Sequence, residues 1–156
     1  MRSNLAEARR QDGLLGRYES AVVAQRELFV QRDQSLRWLA DLARKHSVEL
    51  GDRPADLQAV EDLYFELFAE GAAWLTRRDR SRFEYAMAVF WGAVAVAHGA
   101  AWDVYESSFA PGHFGLAVSR GRLTVVLDAR CSGWDRRPNN KRRNLLRREY
   151  DKTFGR

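Results

Sequence analysis

The chain has 156 residues, of which 46% are hydrophobic and 30% are charged. A chain of this length can bury roughly 70% of the surface that it exposes when unfolded, so the composition predicts one soluble domain with a single core. The 11 glycines, 3 prolines and one cysteine exclude collagen-like, low-complexity and disulfide-stabilised classes.

The sequence carries none of the motifs that are typical of a cofactor site or a catalytic centre. It has no glycine-rich phosphate-binding loop, and the single Cys131 provides neither a disulfide nor a thiolate cluster for zinc. We therefore expect no cofactor, no metal and no enzymatic activity, and the lone thiol favours a reducing, cytoplasmic location.

Two segments bear on targeting and membrane insertion. Charged residues between Leu5 and Gly16 predict that no secretory signal is present. The uncharged stretch from Tyr85 to Ala97 is shorter than the roughly 20 residues that a bilayer span requires. The stretch is therefore interpreted as a buried helix, and no contact with a membrane is expected.

Apolar residues recur at helical spacing from about Asn4 to His46, which predicts a long first helix. The stripe consists of Leu14, Leu15, Ala21, Val22, Leu28, Phe29, Leu36, Leu42 and Ala43. A straight helix of this length would extend roughly 45 to 60 Å, whereas a compact body of this size measures roughly 30 Å across. Because a glycine costs about 1 kcal/mol of helix propensity, we expect a break near Gly13 and Gly16.

A second helix is predicted from about Pro54 to Leu75, after a connection marked by Gly51. Asp52 is the candidate N-cap of this helix.

The polar segment Thr76 to Arg80 is interpreted as a tight connection to a third helix. Ser81 and Glu84 form a capping-box pattern, S-x-x-E, which predicts that this helix begins at about Arg82. The helix is apolar nearly all round and is expected to be the buried one, with Gly99 as its C-cap.

After Gly99 the apolar period changes to two, which predicts a small antiparallel meander. A strand is expected from Trp102 to Glu106, followed by a turn at Pro111 and Gly112. A hairpin with Arg120 and Gly121 in its loop comes next. This hairpin pairs Val118 with Leu123, Leu116 with Val125, and Phe114 with Leu127. The predicted fold class is therefore α+β, with a long N-terminal helix, two further helices, a small sheet and a basic C-terminal helix.

The excess of positive charge lies at the C-terminal end. Residues 1–128 hold 16 basic and 18 acidic residues, whereas residues 129–156 hold 10 basic and 3 acidic ones. We divide the chain accordingly into a single α+β body, residues 1–128, and a basic C-terminal arm, residues 129–156. The arm is expected to be a loop as far as Pro138, then a helix from about Lys141 to Phe154, capped by Asn139 or Asn140.

A nearly neutral body with a cationic arm is typical of proteins that contact an anionic partner. The candidate binding residues are nine cations and one aromatic residue of the arm: Arg130, Trp134, Arg136, Arg137, Lys141, Arg142, Arg143, Arg147, Arg148 and Lys152. Trp134 and Tyr150 would offer ring faces for stacking an unpaired base. The apolar stripe Leu146, Tyr150 and Phe154 either docks on the body or waits for a partner.

The main functional hypothesis is a non-enzymatic interaction or regulatory protein that contacts an anionic partner, such as an acidic protein face, through the basic arm. The alternative is a nucleic-acid-binding protein that uses the same arm without sequence preference, since no helix-turn-helix or zinc finger precedes it. A solvated helix without a specific partner is the simplest explanation of the charges.

A small enzyme is the third hypothesis, with His98 or His113 beside Asp103, Glu106 and Asp128 at the junction of helix and sheet.

The first helix is a second candidate surface. If part of its apolar stripe stays uncovered, that part would bind a protein partner or a second copy of the chain. Packing of the stripe against the second and third helices is the alternative.

Overall fold

The computed structural model describes residues 15–69, 77–136 and 144–155. Within these ranges the chain forms four α-helices and a four-stranded antiparallel sheet, which confirms the α+β prediction. The helices are α1 (Ala21–Lys45), α2 (Pro54–Tyr64), α3 (Arg77–Ala97) and α4 (Leu145–Phe154). The strands are β1 (Gly16–Arg17), β2 (Ala101–Glu106), β3 (His113–Arg120) and β4 (Leu123–Val126).

The first helix is shorter than its apolar stripe. α1 begins after Ser20, whose hydroxyl accepts the N–H of Val23 at 3.2 Å. The predicted break is confirmed at Gly16, which lies in β1, whereas Gly13 and the rest of residues 1–14 lie outside the described ranges. Most of the stripe within α1 packs inward, but Val22 is 75% exposed.

α2 begins at Pro54, as predicted, but its cap differs from the expected one. Arg53 rather than Asp52 is the N-cap, and its backbone N–H donates to the carboxylate of Asp56 at 3.0 Å. The α-helical turns end at Tyr64, and a π-helical turn, Phe65–Ala69, continues the chain. The predicted end at Leu75 lies outside the described residues.

α3 begins at Arg77, so the predicted start at Arg82 and the predicted connection over residues 77–80 are wrong. Ser81 lies inside the helix and is exposed, whereas Glu84 is buried. Residues 77–80 are polar, which is typical of a connection. In the folded chain, however, the Arg80 side chain binds Asp135 and the carbonyl oxygen of Phe68. The prediction that this helix is the buried one is confirmed.

β3 is the central strand of the sheet. β2 pairs with one edge of β3 from Phe114 to Ser119, and β1 and β4 share the other edge, pairing with opposite ends of β3. The turn between β2 and β3 contains Gly112, with a φ of 86°, as the sequence predicted.

The hairpin between β3 and β4 turns through Gly121 and Arg122 rather than through Arg120 and Gly121. Val118 pairs with Val125 instead of Leu123, so the predicted register is wrong by two residues. Because side chains in a strand alternate with a period of two, this displacement leaves both faces of the hairpin as predicted.

α1 and α3 pack on the sheet, α2 packs on α3 and α4, and their buried side chains form one core. Gly92 allows α3 to approach the sheet closely, since a Cβ at this position would lie 2.7 Å from Cδ1 of Leu127 and 3.2 Å from Cγ1 of Val118. None of the helices in the described ranges is both long enough and apolar enough to cross a membrane.

Candidate functional site

A carboxylate from the body of the protein binds the N-terminus of α4. Glu61 of α2 is fully buried, and its Oε1 atom accepts the backbone N–H groups of Asn144 and of Leu145, the latter at 3.0 Å. Its Oε2 atom accepts the N–H of Leu146 at 3.0 Å. The first N–H groups of a helix lack partners within the helix and carry partial positive charge, so a carboxylate satisfies both their hydrogen bonds and their charge.

The helix therefore receives its cap from a residue 83 positions before Asn144. Asn144 itself has a positive φ of 86° and makes no side-chain cap. α4 begins at Leu145, later than predicted, and the predicted caps Asn139 and Asn140 lie outside the described residues.

A second buried carboxylate, that of Glu84 in α3, holds the turn that precedes α4. It accepts the backbone N–H groups of Gly133 at 3.2 Å and Trp134 at 3.1 Å, and the phenolic O–H of Tyr64 at 2.6 Å. Burial and the neighbouring Glu84 carboxylate raise the pKa of the Tyr64 phenol well above its usual value, so the phenol remains a donor at neutral pH. The indole N–H of Trp134 donates to Glu61 at 2.9 Å, which joins the two carboxylates in one network.

The apolar side of α4 docks on the body. Leu146, Tyr150 and Phe154 are buried, and they lie at helical spacing on one side of the helix. The ring centroid of Trp91 in α3 lies 5.8 Å from that of Tyr150 and 5.2 Å from that of Phe154. The stripe therefore packs on the body of the same chain and is not left free for a partner.

Three residues of the arm that were predicted to face a partner turn inward. Trp134 is fully buried and Tyr150 is nearly so, and neither ring offers a free face for stacking a base. The guanidinium carbon of Arg130 lies 3.9 Å from the ring centroid of Trp91, and this guanidinium also pairs with Glu149 at 3.5 Å.

All three acidic residues of the arm take part in ion pairs. Asp135 pairs with Arg80 at 3.2 Å, Glu149 with Arg130 at 3.5 Å, and Asp151 with Arg147 at 3.3 Å. The other cations of the arm that the structure describes are Arg136, Arg148 and Lys152, which are exposed and have no carboxylate partner within the described ranges. We call these three residues the arm surface.

Four of the predicted binding residues, Arg137, Lys141, Arg142 and Arg143, lie outside the described residues. Arg148 and Lys152 are one helical turn apart on α4, where like charges repel and slightly destabilise the helix. Their proximity produces a local positive potential that no acidic residue of the arm is free to neutralise.

The sequence reasoning did not identify Glu61 and Glu84 as the residues that hold the arm. A signal for Glu61 was present, because the buried positions of α2 include Leu57, Val60 and Tyr64, and Glu61 falls on the same apolar side. A carboxylate at such a position must find buried donors, since burying an unpaired charge is very costly.

The residues of the proposed enzyme site have separate, local partners. Nδ1 of His98 lies 2.9 Å from the carbonyl oxygen of Val94, and Asp103 accepts the hydroxyl of Ser119 at 2.8 Å. Glu106 accepts the N–H of Gly112 at 3.0 Å. His113 lies in β3 and pairs with Arg17 of β1. No group of three or more His, Cys, Asp or Glu side chains within the described ranges is arranged to hold a metal ion.

Asp128 differs from these residues because it is mostly buried. Its Oδ1 atom accepts the N–H of Leu116 at 2.7 Å, and it lies where the ends of β1 and β4 meet beside Gly115. Burial raises the pKa of the Asp128 carboxyl to about 6, although the hydrogen bond from Leu116 opposes this rise.

The family model described as "Uncharacterised protein YwmA" matches residues 17–154. The chain belongs to this family. The match extends from β1 to the end of α4, so it covers the body from residue 17, both buried carboxylates and the arm surface. No curated protein and no solved structure shows a significant match to the chain.

Proposed function

We propose that this member of the YwmA family is an interaction protein that binds the acidic face of a protein partner through the arm surface. The main observation in support is that the acidic residues of the arm are all paired, whereas three of its described cations are not. The apolar side of α4 and the acidic residues of the arm are engaged within the chain, whereas Arg136, Arg148 and Lys152 remain exposed.

The attachment of α4 and of the turn at Gly133 and Trp134 to the body supports this proposal. Glu61 and Glu84 fix the N-terminus of α4 and the turn before it, so the exposed cations project from an ordered surface. Cations on an ordered backbone lose less chain entropy on binding than cations on a disordered tail, which favours a defined protein contact.

The burial of Trp134 and Tyr150 weighs against recognition of single-stranded nucleic acid, because such binding commonly depends on exposed aromatic rings. The arm surface could still contact the phosphates of a nucleic-acid duplex, and the experiment below measures duplex binding as well.

The test is a charge reversal on the arm surface, Arg148→Glu with Lys152→Glu, in the full chain. Removal of the whole arm is not suitable, because it would also delete the buried residues Trp134, Leu146, Tyr150 and Phe154.

Binding of fluorescein-labelled poly-glutamate and of a labelled 20-base-pair duplex is measured by anisotropy at low and moderate salt. We expect poly-glutamate to bind the wild type and the double variant to bind at least about tenfold more weakly.

The matched control is Arg17→Glu with Arg26→Glu, which changes the net charge equally at exposed positions of β1 and α1. An equal loss of affinity in this control would mean that only net charge matters, and the proposal would be rejected. Tighter binding of the duplex than of poly-glutamate, with a steep decrease at moderate salt, would instead support the nucleic-acid alternative.

A further inference from the structure

A shallow basin of about 310 Å³ lies on the outer surface where α1 and α3 pack together. Its described lining consists of Gln34, Arg37, Trp38, Asp41 and Arg82, and we call it the Trp38 basin. Arg80, two positions before Arg82 on α3, reaches Asp135 at the start of the arm. Because residues two positions apart on a helix point in nearly opposite directions, the basin and the arm surface lie on different sides of α3.

The aromatic floor of the basin is held in place by the core. The Trp38 ring is half-buried and meets the buried ring of Phe83 edge to face, with 6.1 Å between centroids. The guanidinium carbon of Arg82 lies 4.6 Å from the Trp38 centroid. This cation–π contact restricts the guanidinium without using its N–H groups, which stay available to an anion.

The charges around the basin are not balanced within the chain. Asp41 already pairs with Arg44 at 3.3 Å, whereas Arg37 and Arg82 are exposed and have no ion-pair partner in the ranges that the structure describes. Arg78, one helical turn before Arg82, is also exposed and adds to the positive potential.

A second surface cavity, on α1, has a different lining from that of the Trp38 basin. It has a volume of about 380 Å³ and is lined by Arg26, Glu27, Val30 and Gln31. One cation and one anion are adjacent in its lining, and none of its described lining residues is aromatic. Its described lining therefore lacks both the net positive charge and the flat apolar floor of the Trp38 basin.

We infer that the Trp38 basin binds an acidic, extended peptide segment of a protein partner, with a carboxylate between Arg37 and Arg82 and an apolar side chain on the Trp38 ring. Arginine forms bidentate hydrogen bonds with carboxylates, and tryptophan and arginine are the residues most enriched at the centres of protein interfaces. Gln34 and Asp41 provide acceptors for the N–H groups of a peptide backbone. A nucleic-acid backbone offers no such N–H donors.

The test uses a fluorescein-labelled six-residue peptide of alternating glutamate and leucine, and a matched peptide in which glutamine replaces every glutamate. Binding to the full chain is measured by anisotropy. We expect saturable binding of the acidic peptide and at least about tenfold weaker binding of the glutamine peptide. The double variant Arg37→Glu with Arg82→Glu is expected to weaken binding of the acidic peptide by about tenfold or more.

The arm-surface variant, Arg148→Glu with Lys152→Glu, is the matched control. We expect it to bind this peptide within about twofold of the wild type, because the arm surface consists of cations alone and offers no aromatic ring to the leucine side chains, and because the two surfaces are separate. Each proposal is judged on the loss of binding caused by its own double variant, so either one can fail alone. Circular dichroism of each variant verifies that the fold is retained, and Arg37→Lys with Arg82→Lys, which keeps the charge, is expected to lose only part of the affinity.

Nuclear magnetic resonance locates the peptide directly. Of the tryptophan indole N–H signals, that of Trp38 is expected to shift most during the titration. The inference is overturned if the acidic peptide shows no saturable binding up to millimolar concentration. It is also overturned if the glutamine peptide binds equally well, or if the arm-surface variant loses as much affinity as the basin variant.

Discussion

Replacing Glu61 with glutamine removes one of the two carboxylate oxygens that bind the N-terminus of α4. Each oxygen accepts two N–H groups: Oε1 those of Asn144 and Leu145, and Oε2 those of Leu146 and the Trp134 indole. In either orientation the amide nitrogen of glutamine would face two of these donors, so two N–H groups would lose their acceptor, partly buried ones at the Oε1 position or buried ones at the Oε2 position.

A buried donor without an acceptor costs about 1 to 3 kcal/mol. Loss of the negative charge at the helix N-terminus adds about 0.3 to 1 kcal/mol. The neutral amide is easier to bury than the carboxylate, which offsets part of this loss. We therefore expect Glu61→Gln to lower the free energy of unfolding by about 3 kcal/mol, a large fraction of the typical total of about 5 to 15 kcal/mol.

Urea unfolding followed by circular dichroism measures this change, with an expected decrease in the midpoint of about 1 to 2 M. The control is Glu49→Gln, at an exposed loop position, which should leave the midpoint nearly unchanged. Hydrogen exchange of the Leu145 and Leu146 amides should also become faster in the Glu61 variant. A loss below about 1 kcal/mol would show that the hydrogen-bond reasoning is wrong.

Three further substitutions test other parts of the structure. The folded state raises the pKa of the Asp128 carboxyl from 3.8 to about 6, so its ionisation costs the wild type up to about 3 kcal/mol of stability as the pH rises from 4 to 7. The difference in unfolding free energy between Asp128→Asn and wild type should therefore shift in favour of the variant over this range, and a flat difference would contradict the assigned pKa. Gly115→Ala would place a Cβ against Leu15 and 2.8 Å from Oδ1 of Asp128, which should destabilise the protein by about 1 to 3 kcal/mol; a neutral result in urea unfolding would show that the junction of β1 and β4 is not tightly packed. Ser20→Ala removes the acceptor for the Val23 N–H at the start of α1 and should cost about 1 kcal/mol, whereas Ser20→Gly should cost only a few tenths, and equal losses would exclude a capping role.

The buried carboxylates explain how a segment with a large excess of positive charge is integrated into the fold. The N-terminal end of α4 would favour nearby anions, and the body provides one in Glu61. The apolar stripe of α4 then packs on Trp91. Body and arm thus differ in charge but share one core, so the boundary drawn at residue 128 separates charges rather than folding units.

The sequence alone determined the features that depend on neighbouring residues. The helical period predicted α1 and the buried helix α3, the period of two predicted β2 to β4, and Gly112 marked its turn correctly. The faces of the hairpin were also predicted, although its register was not, because a displacement of two residues leaves the alternation of side chains unchanged.

The tertiary structure alone decided which polar residues are buried and which remain free. α3 begins at Arg77, and the side chain of Arg80 in its first turn has partners that lie 12 and 55 positions away along the chain. The cap of α4 comes from Glu61, and the cations of the arm separate into paired and unpaired ones only after the chain has folded. Such contacts between distant positions leave no periodic signal, because their energy depends on the approach of side chains in space rather than on their spacing along the chain.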